Sequence, residues 1–215
     1  MSTGYEQTGR VHQKQRTLEA LVAAARTLVE EGETPTVQAA AERAHVSRTT
    51  AYRYFPSQAT LLAAAHPEIG TQSILPPDAP SDVAERLELV VTAVTELVRD
   101  TERQQRTMLR LSLDLDRPGT EDLLLRQGRL ISWLAEALAP LTEEIGASAV
   151  HTLAVAIRST IGIESYVWLT DVAHVRPDEA VAIMRWNARS LLASAQRGSL
   201  PPKLSKGARR AMAES

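Results

Sequence analysis

Apolar positions along this chain recur with a helical period almost throughout, and strand-like alternation is nearly absent. Leu18, Leu21, Val22, Ala25, Leu28 and Val29 fall at i, i+3, i+4 spacing, and Gly32 is placed to close that helix. Thr36 reads as an N-cap for "VQAAAERA", a segment whose alanines permit close packing. Ser47 reads as the cap of the next helix. Pro56 ends it, because the residue before a proline is disfavoured in the α region. Ser57 caps a further short helix reaching about Ala65.

The proline-rich stretch "HPEIGTQSILPPDAPSD" interrupts the pattern, and a domain boundary is expected within it. Beyond it, Leu87, Val90, Val91, Val94, Leu97, Val98, Met108, Leu111 and Leu115 mark one long helix or two stacked ones. "RPGT" at 117–120 breaks the run, and Leu123 to Leu138 resumes it until Pro140. Helices are then expected over roughly 147–172 and 178–197, separated by "HVRPDE". The predicted fold is all-α, a three-helix N-terminal domain on a larger C-terminal helical bundle. Its expected divisions are an arm and N-terminal domain over 1–66, a helical domain over 67–200, and a disordered basic tail over 201–215 carrying Lys203, Lys206, Arg209 and Arg210.

Composition narrows the classes. The 215 residues carry a formal charge of −2, so no global basic excess announces nucleic acid, although an acidic whole can present a basic face. Cysteine is absent, which removes disulfides, thiol catalysis and Cys-based metal sites. The polar N-terminus shows no apolar signal core, and the most apolar run, 150–172, includes His151, Arg158 and Glu164. A soluble cytoplasmic protein is expected, with no membrane partner. GxxxxGK, HExxH and GxSxG are absent and the five histidines lack metal-ligand spacing, so neither an enzyme nor a cofactor is expected.

The densest chemistry lies in "HVSRTTAYRYFPSQATLL", residues 45–62. Two short helices, Thr36–Ala44 and Ser47–Phe55, joined by His45 and Val46, have the spacing of a helix-turn-helix. The second helix of such a unit enters the major groove, its N-terminal residues meeting base edges. Arg48 suits a bidentate pair with guanine, and Thr49 and Thr50 suit a base edge or a thymine methyl. The Tyr52 phenol suits a phosphate, and Arg53 and Tyr54 add charge and reach. Ala51 and Phe55 share the inward face. With Thr36, Gln38, Ser47 and Gln58, these complete the candidate DNA-facing set.

The segment "TVQAAAERAHVSRTTAYRYFPSQATLL" resembles the DNA-binding domain of the TetR family of transcriptional regulators, whose third helix typically reads "VSxxTxYxYFxSKxxLL". The resemblance covers Thr17 to Ala65. It implies a homodimeric repressor that leaves a palindromic operator when a small molecule binds. Two positions depart from the pattern: His45 stands where a turn glycine is usual, and Gln58 where a phosphate-touching lysine is frequent. A left-handed backbone at His45 costs about 1–2 kcal/mol, though histidine is among the residues enriched there. Loss of the lysine shifts the expected phosphate charge toward Arg10, Lys14 and Arg16 or toward the basic tail. An activator, or a DNA-binding protein regulated by a protein partner, fits the same residues; an enzyme is a remote alternative.

In the larger half, Thr101 and Gln105 lie on the face of Val94, Val98 and Met108, and Glu164 lies on the stripe of Val150, Ile157, Ile161 and Trp168. Burying Arg158 or Glu164 unpaired is costly, so either they pair structurally or they orient a ligand. Thr101, Gln105, Trp133, Arg158, Glu164 and Trp168 are the candidate effector-binding residues, with Trp186 and Tyr166 as further flat surfaces. The stripe Ala180, Met184, Asn187, Ala188, Leu191 and Ala195, with Leu153, Ile157 and Ile161, is the expected dimer seam on the last two helices.

Overall fold

The computed structural model describes residues 3–33, 35–66, 72–113 and 129–202, with side chains from Val11 onward. No strand occurs among them, and the protein is all-α. The chain divides into two compact units. Residues 3–33, 35–66 and 110–113 of the described chain group into the first, and 72–109 and 129–202 into the second.

In the first unit, α1 (Thr3–Glu30) packs on α2 (Val37–Arg43) and on α4 (Gln58–Ala65), and α2 packs on α3 (Arg48–Tyr54). Its core is Leu21, Ala25, Leu28, Val37, Ala40, Ala41, Ala51, Phe55 and Leu61, all buried. Alanines at 40, 41 and 51 leave little side chain between the helices, so Phe55 and the leucines fill the remaining volume. α1 begins well before Leu18, so the expected N-terminal arm is helical from Thr3. That stretch is polar and lacks the apolar period that marked the later turns.

Each helix end in this unit has an identifiable cause. α1 stops at Gly32 (φ 83°), where the Gly32 and Glu33 amides donate to the Val29 and Leu28 carbonyls, a Schellman closure. Thr36 caps α2 by accepting from the Ala39 amide at 3.0 Å. α2 closes the same way as α1: His45 and Val46 donate to the Glu42 and Ala41 carbonyls at 3.2 and 2.9 Å. His45 accordingly takes the left-handed conformation, φ 55°, and Val46 packs against the core as that motif favours. Ser57 and Thr60 form a reciprocal capping box that starts α4.

In the second unit, α5 (Val83–Asp100) is capped by Asp82, whose carboxylate accepts from the Ala84 and Glu85 amides at 2.9 Å. α6 (Glu102–Ser112) follows after a break at Thr101, so the long Leu87–Leu111 pattern is two helices; Leu115 lies outside the described residues. α7 (Arg129–Ala137) leads through a 3-10 turn into the short α8 (Thr142–Ile145) and then α9 (Ala147–Arg158). α10 (Ile163–Val167) runs into a π turn over Trp168–Val172, and α11 (Pro177–Gln196) completes the bundle. α11 packs on α5 and α9, and α7 on α5 and α9. The Arg86 guanidinium closes the end of α7 by donating to the Glu136 and Ala137 carbonyls.

Two expectations fail here. The helix expected over 147–172 is broken at residues 159–162, where Gly162 adopts φ 107° and ψ 178°. The Ser159 and Thr160 hydroxyls bond back to the Ala156 and Ile157 carbonyls, which closes α9. The stripe expected to form a dimer seam is also spent within the chain. Ala180, Met184, Ala188 and Ala195 of α11 are buried, as are Leu153, Ile157 and Ile161. Small residues at those positions let α11 approach α5 and α9 closely, and Asn187 and Leu191 are half-buried at the margin.

Candidate nucleic-acid interface

α3 is a short helix whose two ends are fixed by sequence. At its start the Ser47 hydroxyl accepts from the Thr50 amide at 3.2 Å and donates to the Thr50 hydroxyl at 2.8 Å. At its end the Phe55 amide donates to the Ala51 carbonyl, and Pro56 prevents another turn. Ala51 and Phe55 are buried and fix the rotation of the helix about its own axis. Arg48, Thr49, Tyr52 and Arg53 are therefore exposed together, with Tyr52 45 % exposed, and Thr50 and Tyr54 are half-buried on the flank. An exposed phenol beside two guanidinium groups and a threonine hydroxyl presents donors and two positive charges without a carboxylate among them. That chemistry suits base edges and phosphates.

Ion pairing holds the helices that carry α3. Arg43 of α2 pairs with Glu31 at the end of α1 through two parallel hydrogen bonds of 2.7 and 2.6 Å. The Glu31 hydrogen bond raises the Arg43 guanidinium above its ordinary pKa. Arg26 donates to the Ala65 carbonyl at 2.9 Å, meeting the negative end of α4.

Several expected DNA-facing residues carry structural duties. The Thr36 and Ser47 oxygens are the caps of α2 and α3. Gln38 on α2 donates to Glu42, one turn on, at 2.9 Å. The Gln58 amide donates to the Pro35 carbonyl at 2.7 Å and so ties the start of α4 to the chain before α2. Lys14 and Arg16 are exposed on α1, whereas the Arg10 side chain and Lys203, Lys206, Arg209 and Arg210 lie outside what the structure describes. Gln13 and Thr17, on the same side of α1 as Lys14, border α3 and carried no signal in the apolar pattern.

Five of the six candidate effector residues of the second unit, all but Trp168, are met by partners within the chain. Gln105 donates to the Thr101 hydroxyl at 2.8 Å, and that hydroxyl donates to the Leu97 carbonyl at 2.6 Å. The Trp133 ring is buried and its indole N–H donates to the Gln72 carbonyl at 3.0 Å. Arg158 pairs with Glu164 at 2.9 and 3.1 Å and donates to the Ile161 carbonyl at 3.0 Å. Trp168, expected on an apolar stripe with Ile157 and Ile161, is 58 % exposed, because the break at Gly162 ends the periodicity that placed it there. Tyr166 is buried beside Glu102; burial first, and the Glu102 carboxylate second, push its phenol above the ordinary pKa. Among the described residues no cluster of potential metal ligands occurs and no helix is long and apolar enough to cross a membrane.

A Schellman-closed turn between two capped short helices, with a buried alanine and phenylalanine aiming a polar face outward, defines a helix-turn-helix DNA-binding domain. Residues 20–65 match the family model described as bacterial regulatory proteins, tetR family. The match covers the N-terminal domain, and it supports a DNA-binding transcriptional regulator with a TetR-type helix-turn-helix. No curated protein matches the chain.

Proposed function

We propose that the protein is a homodimeric repressor that binds a palindromic operator through α3 and is released when a small molecule occupies the second unit. The observation that carries the reading is the outward face of α3: Arg48, Thr49 and Tyr52 are exposed while Ala51 and Phe55 are buried. Arg48 and Thr49 are assigned to base edges at the helix N-terminus, and Tyr52 to a phosphate. A dimer would set two α3 helices in successive major grooves, about 34–36 Å apart or a multiple of that spacing.

The second copy is assigned to the outward face of α11, opposite the stripe buried by α5 and α9. Trp186 on that face is 62 % exposed. A ligand that binds better to a dimer with wrongly spaced α3 helices shifts the population off DNA. The effector residues of this proposal are Thr101, Gln105, Trp133, Arg158, Glu164 and Trp168. The intramolecular partners of all but Trp168 mean that a polar ligand must replace existing hydrogen bonds. The role of an activator rests on where the operator lies relative to a promoter.

Selection of random duplex DNA by the purified protein, sequenced after binding at two salt concentrations, tests this reading. A palindromic enriched motif is expected. Enrichment of no motif would overturn it.

A further inference from the structure

Beside α3 lies a crevice of about 500 Å³ lined by Gln13, Lys14 and Thr17 of α1 and by Thr50, Arg53 and Tyr54 of α3. Every lining side chain ends in a polar group, and none is a carboxylate. Lys14 and Arg53 are exposed, and neither forms an ion pair among the described residues. Elsewhere in this unit Arg43 is engaged by Glu31 and Arg26 by the Ala65 carbonyl. Two unpaired cations brought to one crevice by two helices repel each other unless an anion or solvent lies between them.

The position of the crevice says which anion. Around α3, Arg48, Thr49 and Tyr52 point away from the core, Thr50 and Tyr54 lie on the flank bordering α1, and Arg53 stands between the two. A helix lying in a major groove about 12 Å wide has a row of phosphates along each side. With α3 in the groove, the α1 flank would face one of those rows. Gln13, Lys14 and Thr17 sit within the continuous helix α1, so they are held in place rather than carried on a loose arm, and little ordering entropy opposes their use.

We infer that this crevice seats one backbone phosphate of duplex DNA, with Lys14 and Arg53 supplying the charge and the Thr50 and Tyr54 hydroxyls the hydrogen bonds. The inference rests on the proposed reading of α3 as the groove helix. It adds a positioning site on α1 that compensates for the glutamine at position 58.

The test is equilibrium binding of the full chain, as wild type and as the K14Q, R53Q, K14Q/R53Q and R197Q variants, to the selected operator and to an unrelated duplex across a salt series. The double substitution is expected to lower the slope of log K against log salt by about 0.9, the value for one phosphate, and each single substitution by part of that. The loss should be equal on both duplexes, because phosphate contacts carry no base information. R197Q, at an exposed arginine just past α11 in the second unit, is expected to keep the wild-type slope. A wild-type slope in K14Q/R53Q would overturn the inference while leaving DNA binding intact, and so would an R197Q loss as large as that of K14Q/R53Q, which would mean a diffuse field. Failure of the wild type on every duplex would overturn both the inference and the reading beneath it. Thermal stabilisation by inorganic phosphate that K14Q abolishes, with its salt slope unchanged, would assign the crevice to a free anion and overturn the duplex assignment.

Discussion

The Arg158 guanidinium lies where Gly162 would need room for a side chain: a β-carbon there would stand 2.8 Å from Nη1, and 3.2 Å from the Glu164 carboxylate. The glycine therefore serves twice. It supplies a backbone conformation that only glycine adopts readily, and it leaves space for the ion pair that bridges α9 and α10.

Gly162→Ala and Gly146→Ala separate those duties. Both positions have positive φ, but nothing approaches a β-carbon at Gly146. Gly146→Ala is expected to cost only the backbone strain, about 1–3 kcal/mol. Gly162→Ala should cost more and lower the melting temperature further, because Arg158 must also move. In a double-mutant cycle with Arg158→Ala, the excess should disappear. Equal melting temperatures for the two alanine variants would show that the guanidinium yields freely.

Arg48→Ala and Tyr52→Phe divide base reading from backbone contact. Arg48 is expected to pair with one base, so its loss should cost about 1–3 kcal/mol at that position and flatten preference there alone. Tyr52→Phe removes one phenol hydrogen bond and should weaken all duplexes alike. Binding-site selection repeated with each variant reads both effects. An unchanged motif with Arg48→Ala would remove that residue from base recognition.

Much of the first unit was legible because its helix ends depend on local chemistry. Thr36, Ser47 and Ser57 cap through their own hydroxyls, and Pro56 acts through its own ring, so none of these boundaries needs tertiary information. The left-handed backbone at His45 was legible only through the family resemblance, in which a glycine is usual at that turn. The break after Arg158 was not. Ile157, Ile161 and Trp168 keep helical spacing across it, and the apolar period outweighed the signal of Ser159, Thr160 and Gly162 in close succession. The α11 stripe failed for a different reason. Period shows that a face is covered, but it does not show whether α5 and α9 or a second chain covers it.

Acid should weaken the join between α6 and the turn after α10. Asp171 accepts from Arg106 at 2.6 and 2.8 Å, and that hydrogen bonding lowers its carboxyl from 3.8 to about 2. A depressed folded-state pKa means that the carboxylate stabilises the fold above its unfolded pKa, near 3.8, and loses that contribution as pH falls through about 2. Arg106, raised by the same hydrogen bond, stays charged throughout. The gap in denaturant midpoint between wild type and Asp171→Asn should thus be constant above about pH 5 and close progressively as acid is added. The pair is open to solvent, so the gap should be small and shrink with salt. A gap that widens in acid would contradict the assignment.

Dimerisation, if it uses α11, must use the face opposite its buried stripe. Two residues beyond Met184 is about 200° around a helix, which places Trp186 opposite the core. Ala182 and Ala193 share that side, so a second helix could approach closely with the indole as its anchor. Trp186→Glu is expected to weaken the dimer by about 2 kcal/mol or more, roughly 30-fold in dissociation constant. Because Trp186 makes little of the chain's own core, helical content and melting of the monomer should hardly change. Sedimentation equilibrium over a concentration series measures the first effect and circular dichroism the second. Affinity for a single half-site should survive while affinity for the palindrome falls, since only the latter needs two linked α3 helices. A Trp186→Glu protein that stays dimeric would move the seam elsewhere, with Trp168 and Val172 the next exposed apolar pair to test.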